Sequence, residues 1–245
     1  MDVLLQRFDD SAVDRVLAVV AHPDDMEYGG AAAVAQWTAR GAQVAYVLAT
    51  SGEAGISSLP PEQAGPLRER EQRAACAHVG VDDLRFLGFS DGTVEYGLPL
   101  RQAIAAEIRR FRPDTVITVS FRESWPGGML NQADHVAVGR AVVDAARDAG
   151  NRWVFPELVE RGLEPWPDVR QVLAYASPLS THVLDVSAGF AAGVESLKAH
   201  EAYLEALGPD APDPERFLGE GLRPAGEAVG AEYGVAVEVF PLQLF

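Results

Sequence analysis

The sequence predicts an α/β fold, namely a single Rossmann-like, three-layer α/β/α domain with a mostly parallel sheet. Apolar runs rich in β-branched residues alternate along the chain with helical stretches of about ten to fifteen residues. The first of these runs, at 15–21, is almost continuously apolar, which is typical of a strand that is covered on both faces. Because no segment resembles an interdomain linker, we expect residues 1–245 to form one domain.

The first elements form a βαβ unit. RVLAVVA at 15–21 predicts the first strand. The segment 29–41 places strong helix formers between glycines and ends at Gly41, a residue type that commonly follows a helix. The run 42–50 then returns to strand character. Two parallel strands joined by a helix are therefore expected here.

The same alternation continues toward the C-terminus. Further strands are predicted at 84–89, 114–120, 169–177 and 181–187. Further helices are predicted at 66–80, 100–111, 134–149 and 191–207. The segment 207–224 contains GPDAPDP and predicts a long loop within the domain, with the role of a surface connection rather than a lid.

Composition restricts the partners of the protein. The formal net charge is -16, so nucleic acid and anionic membranes should repel the chain, and a small-molecule substrate is expected. No apolar run approaches the roughly 20 residues of a membrane helix, so no membrane span is predicted. Cys76 is the single cysteine, and the first residues lack the apolar core of a secretory signal. We therefore predict a cytoplasmic location, and a homo-oligomer is compatible with the sequence.

Polar residues follow the predicted strands at their carboxyl ends. His22, Asp24 and Asp25 come directly after the first strand, residues 50–53 follow the second, and Ser120 ends a later one. In open α/β sheets the ligand crevice lies at this edge. Imidazole and carboxylate together suit a zinc ion. His22 and one of the two aspartates are therefore candidate metal ligands.

A third ligand has to come from elsewhere in the chain. His135 is the leading candidate because it lies at the start of the helix that follows the strand at 114–120. Two neutral imidazoles and one carboxylate would leave a zinc site with about one positive charge, which activates water and polarises a carbonyl. The aspartate that does not bind the metal could transfer the proton. Metal-assisted hydrolysis is the reaction class that this set predicts.

Several ordered motifs carry a resemblance to a known family. AHPDDME at 21–27 matches the hallmark A-H-P-D-D-x-E. Further similar blocks are TSGEAG at 50–55, LREREQRAACAHVGV at 67–81, GFSDG at 88–92, ADHVAVGRAV at 133–142 and SLKAHEAYLEAL at 196–207. On these blocks, which cover roughly 14–207, the sequence resembles the LmbE-like family, also called PIG-L or N-acetylglucosaminyl-phosphatidylinositol de-N-acetylase-like proteins. They are specific for the family and not for one substrate.

The resemblance implies a role for each residue of the first motif. His22 and Asp25 would bind zinc together with His135, with Fe²⁺ or another divalent metal as an alternative ion. Asp24 would be the general base. The implied reaction is hydrolysis of an N-acyl group, usually acetyl, from an amino sugar or a sugar-containing small molecule. This gives a free amine and a carboxylate.

The sequence departs from the family pattern at one catalytic position. Members often have a histidine three residues before the final ligand, where it helps to stabilise the oxyanion, but Gln132 stands there in this chain. Glutamine donates a neutral hydrogen bond and does not titrate. Either Gln132 polarises the carbonyl more weakly, or His182 assists, or the activity has changed. By similarity, Glu53, Arg68 and Asp91 would line the substrate pocket, the alternative being surface charges or a helix pair.

The sequence also allows other interpretations. Asp134 could hold an imidazole or cap its helix. A nucleotide-binding module is disfavoured because no phosphate-binding glycine motif follows the first strand, and in DVSAG Asp185 stands where a serine hydrolase needs glycine. The remaining alternatives are an amidase that acts on a larger N-acyl conjugate or natural product, and a noncatalytic metal-binding member of the family.

Overall fold

The computed structural model describes residues 4–242, which form one mixed sheet with helices on both faces. The strands are β1 (Gln6–Arg7), β2 (Arg15–Val20), β3 (Gln43–Leu48), β4 (Asp83–Phe86), β5 (Thr115–Val119), β6 (Gln171–Tyr175), β7 (His182–Asp185) and β8 (Gly234–Pro241). The helices are α1 (Ala31–Ala39), α2 (Pro61–His78), α3 (Leu98–Phe111), α4 (Ala133–Asp148), α5 (Pro156–Glu160), α6 (Phe190–Lys198), α7 (Glu201–Ala206) and α8 (Pro214–Ala228).

The strand order is β1-β7-β8-β6-β5-β2-β3-β4. β2 lies inside the sheet and pairs in parallel with both β3 and β5. β8 is antiparallel to its neighbours β6 and β7, and the other pairings are parallel. The predicted α/β fold with a mostly parallel sheet is therefore confirmed. β8 lies beyond the last element that the sequence predicted.

The apolar run at 16–20 in β2 follows from burial on both faces of the strand. Val16 and Val20 pack in one core cluster with residues of α1. Leu17 and Val19 point to the other face and pack in a second cluster with residues of α3 and α4. A strand between two helical layers needs apolar side chains at successive positions, as observed. Helices on both faces therefore hold β2 in place, and the candidate ligands follow its carboxyl end.

The predicted loop at 207–224 is wrong beyond residue 213, because α8 begins at Pro214. Asp213 caps this helix, and its side chain accepts a hydrogen bond of 3.0 Å from the backbone N–H of Arg216. Proline suits the first helical position since it has no N–H to leave unpaired there. Pro224 lies inside the same helix. The proline content indicated a loop, whereas the proline positions start a helix.

The predicted helix at 191–207 is two helices, α6 and α7. The break falls at His200, whose ψ of 54° lies outside the helical range. The His200 side chain is completely buried, with Nε2 3.6 Å from a carboxylate oxygen of Glu27. Among residues 4–242, no helix combines the length and the apolar character that crossing a membrane requires.

Candidate metal centre and active site

The turn after β2 orients the first carboxylate through the backbone. Asp25 Oδ2 accepts hydrogen bonds from the N–H groups of Ala21, at 2.9 Å, and His22, at 2.8 Å. These bonds fix the carboxyl group and direct its other oxygen, Oδ1, toward the pocket. The hydroxyl of Tyr175, at the end of β6, donates to the backbone carbonyl of Asp25. The turn that carries Asp25 is therefore bonded both to the end of β2 and to the end of β6.

His135 lies in the first turn of α4, and Asn131 fixes its ring. His135 Nδ1 is 2.9 Å from Asn131 Oδ1, which can only accept, so Nδ1 carries the proton and Nε2 is left available to bind a cation. The amide of Asn131 in turn donates to the carbonyl oxygens of Ser120, at 2.8 Å, and Arg122, at 3.0 Å. The ring of His135 is thus oriented by the end of β5.

His22 is held from its outer side by two carboxylates. Its Nε2 lies 3.0 Å from Asp91 Oδ1 and 3.3 Å from Asp134 Oδ2. Asp134 also accepts from the backbone N–H groups of Gly92, at 2.7 Å, and Val94, at 3.1 Å. A carboxylate on the far nitrogen of a histidine is the usual support for a metal-binding imidazole, and it leaves Nδ1 as the ligand atom. Of the two readings of Asp134, the one that holds an imidazole matches these contacts, and the imidazole is that of His22.

The three predicted ligands meet at one point. His22 Nδ1 is 3.2 Å from His135 Nε2, Asp25 Oδ1 is 2.9 Å from His135 Nε2, and the third edge, from His22 Nδ1 to Asp25 Oδ1, is 3.7 Å. Bonds of about 2.0–2.1 Å in a tetrahedral zinc site place ligand atoms roughly 3.3 Å apart. All three side chains are buried. The donor atoms and their spacing therefore fit a divalent cation.

The electrostatics of the trio favour a positive charge at this point. Burial would lower the pKa of His22, but the carboxylates of Asp25, Asp134 and Asp91 outweigh burial and raise the pKa. Burial likewise opposes ionisation of Asp25, yet the imidazoles of His135 and His22 hold its pKa far below the usual range. The cluster therefore carries excess negative charge, which either a proton on His22 or a metal cation can balance.

Asp24 occupies a strained backbone conformation beside the ligands. Its φ of +81° lies in the left-handed region, which non-glycine residues rarely adopt. The backbone N–H of Asp24 donates to Gln72 Oε1 at 2.9 Å, and Oδ2 of its carboxylate lies 3.0 Å from the Arg68 guanidinium. Burial raises the pKa of Asp24, and Arg68 offsets part of that effect. Such strain is typical of residues that a functional site positions.

Arg68 contacts the protein rather than presenting a free guanidinium. Besides Asp24, it donates to the carbonyl oxygen of Pro23 at 2.7 Å, and it lies over the ring of Tyr203 at 4.1 Å from the centroid. Gly52 makes room for it, since a Cβ there would lie 2.5 Å from Arg68 Nη1. The guanidinium of Arg68, which was predicted to line the substrate pocket, therefore holds Asp24 in place. Arg68 still forms part of the pocket wall.

The ligands open into a cavity of about 250 Å³. Gln132 and Asp91, two of the candidate site residues, line it together with Tyr28 and Tyr203. Glu53 does not, because its carboxylate accepts from the backbone N–H groups of Ser51, at 3.2 Å, and Asp91, at 2.9 Å. Glu53 therefore shapes the loop that carries Asp91, and its predicted contact with substrate is not supported.

His182 lies away from this cavity. It begins β7, and three strands separate β7 from β2 in the sheet. The Nδ1 atom of His182 lies 2.9 Å from Thr181 Oγ1, and its ring packs edge-on against Phe8. The prediction that His182 assists Gln132 in catalysis is thus wrong. The order of the strands in the sheet, which places β8, β6 and β5 between β7 and β2, is not visible along the chain.

Two residues that hold side chains of the site in place were not predicted from the sequence. Asn131 fixes His135, and the four-residue spacing of the pair at the start of a helix is a usable signal. Gln72 holds Asp24 and lies four positions after Arg68 on α2, so both side chains project from the same helix face. A search for polar residues at that spacing from Arg68 could have found it.

An α/β sheet with two imidazoles, one ligating carboxylate and a free carboxylate beside them defines a metal-dependent hydrolytic type of site. The profile of the PIG-L family, described as GlcNAc-PI de-N-acetylase, matches residues 17–146. The chain belongs to this family. The resemblance drawn from the sequence motifs is therefore confirmed.

Individual relatives point the same way. The chain is 29% identical over 243 residues to 1D-myo-inositol 2-acetamido-2-deoxy-alpha-D-glucopyranoside deacetylase of Mycolicibacterium vanbaalenii, covering 80% of this chain and 82% of that protein. It is 35% identical over 137 residues to probable N-acetyl-alpha-D-glucosaminyl L-malate deacetylase 2 of Bacillus anthracis, covering 53% of this chain and 58% of that protein, which is less than two thirds of its length.

A solved structure shares the fold over almost the whole chain. N,N'-diacetylchitobiose deacetylase from Pyrococcus horikoshii superposes with a TM-score of 0.84 at 20% identity, covering 95% of this chain and 86% of that one. At this identity the likeness establishes the fold and not the substrate.

Proposed function

We propose that this protein is a zinc-dependent hydrolase that removes an N-acetyl group from an amino sugar or a sugar-containing small molecule. The convergence of His22 Nδ1, His135 Nε2 and Asp25 Oδ1 beside the uncoordinated carboxylate of Asp24 carries the proposal. The similarity to sugar N-deacetylases supports the substrate class. Fe²⁺ or another divalent ion is the alternative metal, and the predicted cytoplasmic location and homo-oligomer stay predictions.

The proposed reaction divides the work among residues of the pocket. A zinc ion held by the three ligands would supply Lewis acidity to the substrate carbonyl. The carboxylate of Asp24 takes a proton from the attacking water and delivers it to the leaving nitrogen, so the C–N bond breaks to give acetate and a free amine. The Gln132 amide donates a hydrogen bond to the developing oxyanion without a change of charge.

Amine release from N-acetylglucosaminides by the zinc-loaded protein tests this proposal. We expect turnover that a chelator abolishes and that added zinc restores. His22→Ala and His135→Ala should each lose tight metal binding together with turnover. A full equivalent of metal retained in both variants would refute the ligand assignment.

The noncatalytic alternative makes a different prediction in the same assay. A member of the family that only binds metal would hold one equivalent of zinc through the three ligands and release no amine from any N-acyl sugar. An amidase for larger N-acyl conjugates would act on bulky substrates and leave the acetyl compounds intact. Comparing the two substrate sets therefore separates the three candidates.

A further inference from the structure

A second, apolar cavity adjoins the metal pocket. It has a volume of about 430 Å³ and lies between α8, the end of β6 and the start of β8. Tyr28 lines both cavities. Tyr175, whose hydroxyl donates to the backbone of the ligand Asp25, also lines the apolar one. We call this second cavity the α8 groove.

The chemistry of the α8 groove contrasts with that of the metal pocket. Every described residue that lines the groove is aliphatic, aromatic or glycine, although the chain carries a formal net charge of -16. The metal pocket, by comparison, is lined by Asp24, Asp25, Asp91 and Arg68. An uncharged cavity beside a charged one suits a ligand that has a polar end and an apolar end.

The wall between the two cavities is aromatic. The ring of Tyr28 meets the ring of Phe217 edge to face, with centroids 5.5 Å apart and an interplanar angle of 83°. Phe217, on the first turns of α8, remains 41% exposed. Leu218 and Leu222 follow on the groove side of the same helix. An exposed aromatic ring at the junction of two cavities is a surface that an apolar group of a ligand would cover.

The metal pocket is too small to enclose a whole substrate of ordinary size. Small-molecule sites commonly enclose about 300–1,000 Å³, and the metal pocket alone, at about 250 Å³, is smaller than this range. A substrate larger than an acetylated monosaccharide must therefore extend beyond it. The α8 groove is the apolar space that shares a wall with the pocket.

We infer that the α8 groove binds an alkyl chain or a similar apolar group carried by the substrate of the metal site. This inference rests on the proposed function, and it names the substrate class as an amphipathic N-acyl amino sugar. The apolar group has two sources, since it belongs either to the acyl group or to the aglycone. Both present the same chemistry to Tyr28 and Phe217.

Two substrate series distinguish these sources. One lengthens the acyl group of glucosamine from acetyl to octanoyl, and the other lengthens the aglycone of N-acetylglucosamine from methyl to octyl. In the series whose chain enters the groove, kcat/KM should rise about two- to fourfold per methylene, which is the factor expected from burying a CH₂ group. The other series should show no such rise.

A substitution that fills the groove tests this inference, and a second substitution on the same helix is its control. A Cβ built on Gly221 meets no atom within 4 Å, and Gly221 lies on the exposed side of α8 beside the groove, so Gly221→Leu should fold and occupy the space. It should abolish the dependence on chain length. Ala228→Leu, at the exposed end of the same helix, serves as the control and should keep that dependence.

A binding measurement separates this inference from the proposed function. Octyl glucoside, below its micellar concentration, contains no amide, and calorimetry should show it binding at least tenfold more tightly than methyl glucoside. Equal affinities, or an octyl preference that persists in Gly221→Leu, would overturn the groove assignment even if acetyl substrates are cleaved. If no N-acyl substrate is cleaved while the octyl preference is present and sensitive to Gly221→Leu, the proposed function fails and the groove stands.

Discussion

Gln72 is expected to act on catalysis through Asp24 alone. Its Oε1 accepts the backbone N–H of Asp24 at 2.9 Å, and its Nε2 donates to a carboxylate oxygen of Glu27 at 3.1 Å. Gln72→Leu keeps the approximate size of the side chain and removes both bonds. The N–H of Asp24 then lacks its acceptor at a position whose φ of +81° already opposes the observed conformation.

The magnitude follows from these two bonds. An unsatisfied buried N–H costs about 1–3 kcal/mol, and a lost hydrogen bond to a carboxylate costs about 1.5–3 kcal/mol. Burial of the leucine methyl groups offsets part of this, so we expect the free energy of unfolding to fall by roughly 2–4 kcal/mol. A displacement of the base by about 1 Å lowers the rate on the order of 10². kcat should therefore fall by that factor, with metal content unchanged.

Steady-state amine release, metal analysis and thermal unfolding of Gln72→Leu test this reasoning. Gln36→Leu is the control, because Gln36 lies on α1, donates one hydrogen bond of 3.0 Å to the carbonyl of Asp185 and does not line the metal pocket. It should lower stability and leave kcat unchanged. Adding Gln72→Leu to Asp24→Asn should reduce kcat little below the value of Asp24→Asn alone, since both changes act on one group. Unchanged kcat in Gln72→Leu, or fully additive losses in the double variant, would refute the proposed coupling.

Three further predictions concern the metal pocket. Asn131→Ala removes the acceptor for His135 Nδ1, so the affinity for zinc should fall about 10- to 100-fold in a competition with a chromogenic chelator. Asp24→Asn should keep a full equivalent of metal while turnover falls on the order of 10² to 10⁴, because the general base is lost. Gln132→His should introduce a decline in kcat/KM as pH rises through about 6.5, where the imidazolium donor loses its proton. The wild-type profile should lack this decline because an amide does not titrate.

Each of these predictions has a result that contradicts it. Wild-type zinc affinity in Asn131→Ala would mean that the ring of His135 needs no acceptor on Nδ1. Loss of metal in Asp24→Asn, combined with retention in Asp25→Asn, would exchange the roles of the two aspartates. Superimposable pH profiles for the wild type and Gln132→His would show that residue 132 does not face the reacting carbonyl.

The sequence predicted best what is local in the chain. Residues 16–20 of the buried strand β2 are all apolar because helices cover both faces of the strand, and that pattern is readable without a structure. His22 and Asp25 follow in the same turn. His135 was predicted from its position after a strand, because parallel strands bring their carboxyl ends to a common edge.

The sequence predicted poorly what depends on contacts between elements. Arg68 was assigned to substrate, whereas its guanidinium lies against Asp24 and Pro23, two residues more than forty positions earlier. Such a pairing depends on how α2 packs, which periodicity does not encode. The prediction for His182 was wrong for a related reason, since the order of the strands in the sheet is not visible along the chain.

The C-terminal region shows a third kind of limit. Composition around 207–224 indicated a loop, but a capped proline start makes α8 at that place. β8 was not predicted, and its residues 234–241 include the charged Glu238 among apolar residues. That carboxylate accepts from Ser177 Oγ at 2.6 Å and from Arg122 Nε at 3.1 Å, so a charge inside the strand is satisfied by partners that the sequence does not reveal.

α8 and β8 both lie outside the segment 17–146 that the family profile matches, whereas all three candidate metal ligands lie within it. The residues for hydrolysis and the residues that select an apolar substrate group would then lie in separate segments of the polypeptide. Exchanging residues 214–228 for another amphipathic helix offers protein engineers a way to retune selectivity while the cation-holding framework stays intact.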